Sequence, residues 1–348
     1  MGSDIRPTRV LVAGAAGFIG SHLCQELINR GATVFAVDNL YTGRKENLSD
    51  LCAHPRFTFI QADIVDPLPM SVRPDVIFNL ACAASPQHYQ ADPVHTMMTS
   101  VVGTRNLLAV AADTGARFIL ASTSEVYGDP LMHPQKETYF GNVNPTGPRA
   151  CYDEGKRAAE ALAFDYLRLG RVDARVARIF NTYGPKMRSD DGRVVSNMIT
   201  QAMGGEDITV YGDGEQTRSF CYVSDLVAGL LRLADHDRKL GAPVNLGNPN
   251  EMTILELLSE VRALTHTSSR VVRKPLPVDD PKRRKPDISL AKNILGWEPR
   301  VALGTGLAQT VAWFAQTFGL AEAPVAKLDG RRKRIPRSGM AEVGAGRA

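Results

Sequence analysis

The chain has 348 residues, with 41 Lys and Arg against 37 Asp and Glu and a formal net charge of +4. At 44% hydrophobic residues it can form one large α/β domain or two lobes with a real core, and its charge balance requires neither nucleic acid nor a membrane surface. Five scattered cysteines with no Cys-x-x-Cys pair argue against a disulfide framework or a zinc site, and no metal is expected. The first residues, MGSDIRPTRV, lack the pattern of a signal peptide. No apolar run approaches the roughly 20 residues of a membrane span, so a cytoplasmic protein is predicted.

Arg9–Ala13 is a short apolar run, the pattern of a buried parallel strand. Gly14, Gly17 and Gly20 follow at G-x-x-G-x-x-G spacing, and then a stretch of helical periodicity closes at Gly31. Glycines between a strand and a helix let backbone amides face a pyrophosphate. A second strand over 33–37 ends at Asp38, near the distance expected of an acid that binds the adenosine ribose. An acid there repels a 2′-phosphate, so NAD is favoured over NADP.

Phe57–Gln61 reads as a third strand, with Asp63 near the adenine at its end, and 75–81 as a fourth, leading into small residues at 82–89. A helix is predicted over 99–114. A fifth strand over 117–121 delivers Thr123, Ser124 and Glu125 at its carboxyl end, where open α/β sheets bind ligands. The proline-rich loop beyond it leads to Tyr152 and Lys156, four apart and hence on one helix face. A lysine ammonium beside a phenol favours the phenolate, which predicts a tyrosine pKa lowered from roughly 10. A sixth strand is predicted over 173–179. Strands alternating with helices give an α/β class: a Rossmann-type doubly wound parallel sheet with a smaller C-terminal lobe.

Beyond 181 the chain becomes polar and glycine-rich, and Arg193 and Arg218 are candidates to meet a diphosphate, since a guanidinium fork suits paired oxygens. Solvated loop arginines are the plain alternative. A helix over 226–234, a strand at Val244–Leu246 and helices at Ile254–Thr265 and Ser289–Leu295 follow. The stretch from about 322 loses periodicity and carries Arg331 to Arg334, a composition that predicts a disordered basic tail rather than a nucleic-acid patch. The predicted division is 1–181, joined again by about 226–248, for the dinucleotide, and 182–225 with 249–321 for the substrate.

These residues resemble the extended short-chain dehydrogenase/reductases that act on nucleotide sugars, and among them the UDP-glucuronate decarboxylases, or UDP-xylose synthases. The strings that carry the likeness are STSEVYGDP, GNVNPTGPRACYDEGKR, ARIFNTYGP, DGRVVSN, TVYGDGEQTRSFCYVSDL, VNLGNP and DDPKRRKPDI. The related 4,6-dehydratases have an Asp-Glu pair after the threonine, whereas Ser124-Glu125 stands here, so the acid that would expel a 6-hydroxyl is missing. Simple 4-epimerases generally lack the glutamate. A carboxylate at C6 needs no such acid, because CO2 is its own leaving group.

The resemblance implies a hidden redox cycle with NAD. Tyr152 takes the 4-hydroxyl proton as hydride leaves C4, Lys156 lowers the tyrosine pKa and holds the nicotinamide ribose, and Thr123 orients the hydroxyl. Arg284 handles the carboxylate, and Ser124 and Glu125 complete the catalytic set. The cofactor contacts it implies are Gly14, Gly17, Phe18, Ile19, Asp38, Asn39, Thr42, Gly43, Asp63, Ile64, Leu80, Thr182 and Arg188. For the UDP-sugar it implies Tyr89, Asn181, Arg193, Val195, Tyr211, Arg218 and Arg284. A homodimer through the helices at 101–114 and around Tyr152 is expected as well. Many family members carry lysine near the sugar where Met98 stands, which predicts weaker affinity or partial release of a 4-keto pentose. The alternatives are another epimerase or dehydratase of the same fold, or a non-catalytic NAD-binding scaffold.

Overall fold

A computed structural model of the chain describes residues 8–68, 72–277, 279, 281 and 283–319. The basic tail predicted from about 322, and Asp280 and Lys282 of the charged loop, lie outside the described residues.

Six strands, β1 (Arg9–Ala13), β2 (Thr33–Asp38), β3 (Phe57–Gln61), β4 (Val76–Asn79), β5 (Arg117–Thr123) and β6 (Ala174–Ile179), join with β7 (Val244–Leu246) in one sheet. Its order is β7-β6-β5-β4-β1-β2-β3 and every pairing is parallel. The predicted doubly wound sheet is therefore the observed one. Strand order reverses beside β1, which opens a crevice between the carboxyl ends of β1 and β4.

The central strands β1 and β4 read as near-continuous apolar runs because both faces are covered. In β1, Val10 and Val12 pack into one hydrophobic layer, and Leu11 and Ala13 into the other, as the two-residue period of a strand demands. The first layer includes Leu23 and Leu27 of the helix Phe18–Asn29 and Leu226 and Leu230 of Val223–Asp235. The second includes Leu107 and Leu108 of Thr104–Thr114 and Ala159 and Ala163 of Ala150–Arg168.

The smaller lobe packs the helices Val194–Gly204, Ile254–Thr265 and Leu303–Thr317 near short strands. Thr217–Ser219 lies between Glu251–Thr253, antiparallel to it, and Arg283–Arg284, parallel to it. The helix Leu303–Thr317 was not anticipated from the sequence. The helix predicted over 99–114 opens with a wide π turn at Thr99–Gly103, and the strand predicted over 75–81 ends at Asn79, whose Oδ1 accepts the Ala81 N–H. Among the described residues no helix is long and apolar enough to cross a membrane.

Candidate active site

The crevice beside β1 continues into a cleft of about 810 Å³ that reaches the second lobe. At its dinucleotide end the turn after β1 has glycines where a side chain would not fit. Gly14 has φ +77°, and a Cβ on Gly20 would lie 2.0 Å from the Gly14 carbonyl oxygen. Gly17 caps the helix that begins at Phe18, so the free amides of its first turn face the crevice. At the end of β2, Asp38 accepts hydrogen bonds from Ala16 N (2.9 Å) and Leu40 N (2.8 Å), and burial raises its carboxyl despite those amides. Asp63 accepts from Asn39 Nδ2 (2.7 Å) and Val65 N (2.9 Å) and pairs with His95 Nε2 (2.8 Å). Thr42, Ile64 and Leu80 complete this end. The glycine cradle and the buried acid fit a dinucleotide.

The centre of the cleft lies where β5 ends. Tyr152 and Lys156 project from the first turns of Ala150–Arg168, both buried, and the Tyr152 ring stacks on Tyr89 with centroids 5.0 Å apart. Thr123 hydrogen-bonds the Tyr152 phenol, and its own Oγ1 accepts from Glu125 N at 3.2 Å. Lys156 Nζ donates to the Ala121 carbonyl (2.9 Å) and stands 6.0 Å from the Tyr152 ring centre.

The depressed tyrosine predicted from sequence is not what this geometry gives. Burial raises the Tyr152 phenol well above its ordinary value, Cys82 adds to the rise, and the Thr123 hydrogen bond opposes it. Burial likewise lowers the Lys156 ammonium. At that separation an ammonium is worth about 3 kcal/mol to a phenolate at an effective dielectric of 20, roughly two pKa units. Full burial moves a pKa by up to roughly 3–5 units, so desolvation wins.

At the sugar end three arginines surround one carboxylate. Glu125 Oε2 accepts from Arg149 (2.8 Å) and Arg284 (3.1 Å). Arg284, 1% exposed, also donates to the Ser124 carbonyl, and its strand aligns it with Arg218 on the neighbouring strand. Burial pushes the Glu125 carboxyl up, yet Arg284, Arg149 and Arg218 together hold it below its usual range. Arg284 is lowered by its own burial against the pull of Glu125, but a guanidinium keeps its proton at any working pH, so Glu125 is the group whose state matters.

Residues 10–247 match a family model described as the NAD dependent epimerase/dehydratase family. The chain belongs to this family. As a member it is an enzyme that uses NAD. It is 56% identical over 306 residues to "UDP-glucuronic acid decarboxylase 1" of Arabidopsis thaliana, covering 88% of this chain and 69% of that one. To the protein of the same name from Danio rerio it is 52% identical, over 88% of this chain and 73% of the relative. A solved UDP-glucuronic acid 4-epimerase from Bacillus cereus, in complex with UDP-glucuronic acid and NAD, superposes with a TM-score of 0.79 at 27% identity, over 89% of this chain and 100% of that one.

Within this epimerase/dehydratase chain, the sequence-predicted residues fall on the cleft with two exceptions, Gly43 and Met98. Phe18, Ile19, Asn181, Thr182, Val195 and Tyr211 line it with the groups above. Gly43 does not: it packs under Asp38, where a Cβ would come 2.6 Å from Oδ1. Arg188 lines the cleft but is bound to Asp190 (2.7 and 2.9 Å) and to the Thr42 carbonyl, and Arg193 is bound to Asp191 (2.5 Å). Met98 is 36% exposed at the end of Pro93–Met98 and is not among the residues that line the cleft. Sequence reading missed His95, Arg149 and Asp153. Arg149 and Asp153 flank Tyr152 in RACYDEGK, and the density of charge at a helix start was the available signal.

Proposed function

We propose that this enzyme converts UDP-glucuronic acid to UDP-xylose and CO2 through a UDP-4-keto-pentose. The observation that carries this reading is Glu125 held ionised between Arg149 and Arg284, directly after Ser124. Such a site has no acid at that position to expel a 6-hydroxyl, and it has cations to receive a 6-carboxylate. The names of the relatives support the same substrate.

The glycine turn, Asp38, Asn39 and Asp63 would hold NAD, which would supply the acceptor and donor for the C4 hydride, while Lys156 works against the burial of Tyr152. Tyr152 removes the 4-hydroxyl proton while Thr123 orients that hydroxyl. The ketone at C4 is β to the C6 carboxylate, so the electrons released with CO2 spread onto the C4 oxygen, where Tyr152 and Thr123 stabilise them. Arg284 orients the carboxylate and Glu125 fixes Arg284. Asp38, Asn39 and Asp63 hold the adenosine end; Asn181, Arg193 and Arg218 hold the UDP. The division into a dinucleotide part (1–181 and about 226–248) and a nucleotide-sugar part (182–225 and 249–321) belongs to this reading.

Two finer features complete it. We assign a homodimer through Thr104–Thr114 and Ala150–Arg168, adjacent helices on which Ala109, Ala112 and Ala161 are exposed; sedimentation at the monomer mass would remove it. A cytoplasmic setting is inferred from the five unpaired cysteines, with cell fractionation as its test.

The deciding experiment incubates the protein with UDP-glucuronic acid, with and without NAD, and reads products by mass spectrometry and NMR. UDP-xylose and CO2 without net NADH are expected. Absence of CO2, with turnover of neutral UDP- or dTDP-sugars instead, would overturn the reading in favour of an epimerase or dehydratase.

A further inference from the structure

Decarboxylation makes a demand that the redox cycle does not meet. When a carboxylate departs as CO2 its bonding electrons stay on C5, and each turnover consumes one proton to form the new C–H bond. The proton that Tyr152 takes from the 4-hydroxyl returns to the same oxygen when the ketone is reduced. Glu125, ionised among its arginines, holds no proton at neutral pH.

A second buried carboxyl lies within electrostatic reach of it. Asp153 lies in the first turn of Ala150–Arg168, immediately after Tyr152, and its backbone N–H donates to the Arg149 carbonyl (3.1 Å). It is 6% exposed, and its Oδ1 is buried without a hydrogen-bond partner. A bare buried oxygen is tolerable on a neutral acid and costly on an anion. The charged and titratable groups around it are Glu125 from the turn after β5, Arg284 from its strand, Arg149 and Glu154 from its own helix end, and Tyr89, Cys151 and Tyr152. Burial and Glu125 push its carboxyl up to about 7, against Arg149 and Arg284.

We propose that Asp153 is the proton store for this reaction and recharges Glu125 for protonation at C5. The inference rests on the decarboxylase reading. Asp153 is not among the residues that line the cleft and acts through Glu125, so its role is a positioning one. The Asp153 O–H bond breaks as its proton passes to the Glu125 carboxylate. That proton then forms the C5–H bond with the electron pair freed from C5–C6, and CO2 leaves with C6. Asp153 regains a proton from solvent, and no oxidant or reductant enters. A carboxyl that holds its proton only briefly, as Glu125 does among three arginines, is a strong donor.

The test compares the full-length enzyme with Asp153→Asn and Asp153→Glu, loaded with NAD, from about pH 5.5 to 9, reading kcat, KM, CO2 and the NADH absorbance during turnover. The wild type should lose kcat above about pH 7 as Asp153 ionises. Asp153→Asn should lose at least about tenfold in kcat with KM nearly unchanged. It should lack the alkaline limb and accumulate the NADH-bound state, because the ketone forms before the proton is needed. Asp153→Glu should restore the limb. A lower kcat with the alkaline limb retained would assign Asp153 a merely structural role and overturn the proposal, as would an unchanged Asp153→Asn enzyme. Should Asp153→Asn fail to fold, a flat wild-type profile across that range overturns it alone. A wild type that releases no CO2 fails the decarboxylase reading itself, before any variant is made.

Discussion

At the dinucleotide end of the cleft the contacts come from backbone and from short separations: Gly14 against Gly20, Asp38 with Ala16 and Leu40, Asp63 with Asn39 and Val65. At the sugar end Glu125 is held by Arg284, 159 residues away, and Arg284 is aligned beside Arg218 by a strand pair in another lobe. The first end is fixed by one motif and its folding unit. The second exists only when both lobes have formed, which ties sugar chemistry to the completed fold.

The largest effect that would test this contrast is at the centre, where the two ends meet. Tyr152→Phe should lower kcat by about 10³-fold while NAD still binds, since acid–base groups contribute roughly 10² to 10⁴; full turnover in a steady-state assay would remove the mechanism. Next, Arg284→Met leaves the buried Glu125 with one fewer cation, which should destabilise the fold by about 3 kcal/mol in urea titration. The sign follows from the depressed Glu125 carboxyl. Its contribution is present above the unfolded carboxyl range and lost as pH falls through the folded value, so the gap between variant and wild type should be widest near neutrality and close in acid.

Gly20→Ala should act on the other end alone. Its Cβ would press on the Gly14 carbonyl oxygen and on Ala15 Cα at 2.9 Å, backbone atoms that cannot step aside. A loss of about 1–3 kcal/mol in thermal stability is expected, with weaker NAD binding by calorimetry. Thr253→Ala removes the capping box of Ile254–Thr265, in which Thr253 and Glu256 satisfy each other's backbone amides. About 1 kcal/mol of stability should go and kcat should stay, because this helix end supplies no reacting group.

The same contrast governs what was legible in the sequence. The parallel sheet and the glycine turn follow from local patterns, so apolar runs and spacing sufficed. Individual residues of the sugar end could be named from the likeness of STSEVYG and KRRKPD, but their mutual grip could not. The register that sets Arg284 beside Arg218, and the burial that outweighs Lys156 at Tyr152, are tertiary facts. Met98 shows the hazard of carrying a family position forward, since its side chain lies outside the cleft. The helix Leu303–Thr317 was missed although Leu307, Val311 and Phe314 recur at helical spacing on its buried face.

The Asp153 carboxyl also weighs on the fold itself. Its folded value, about 7, lies above the ordinary 3.8, so whatever it lends to stability is complete in acid and is lost as pH rises through about 7. At alkaline pH the free protein therefore carries a liability of at most about 4 kcal/mol at one side chain, large against the margin on which domains of this size survive. An asparagine there would make a sturdier chain above neutrality. That the native chain keeps the acid is the exchange of robustness for chemistry expected where a buried group has a task to perform.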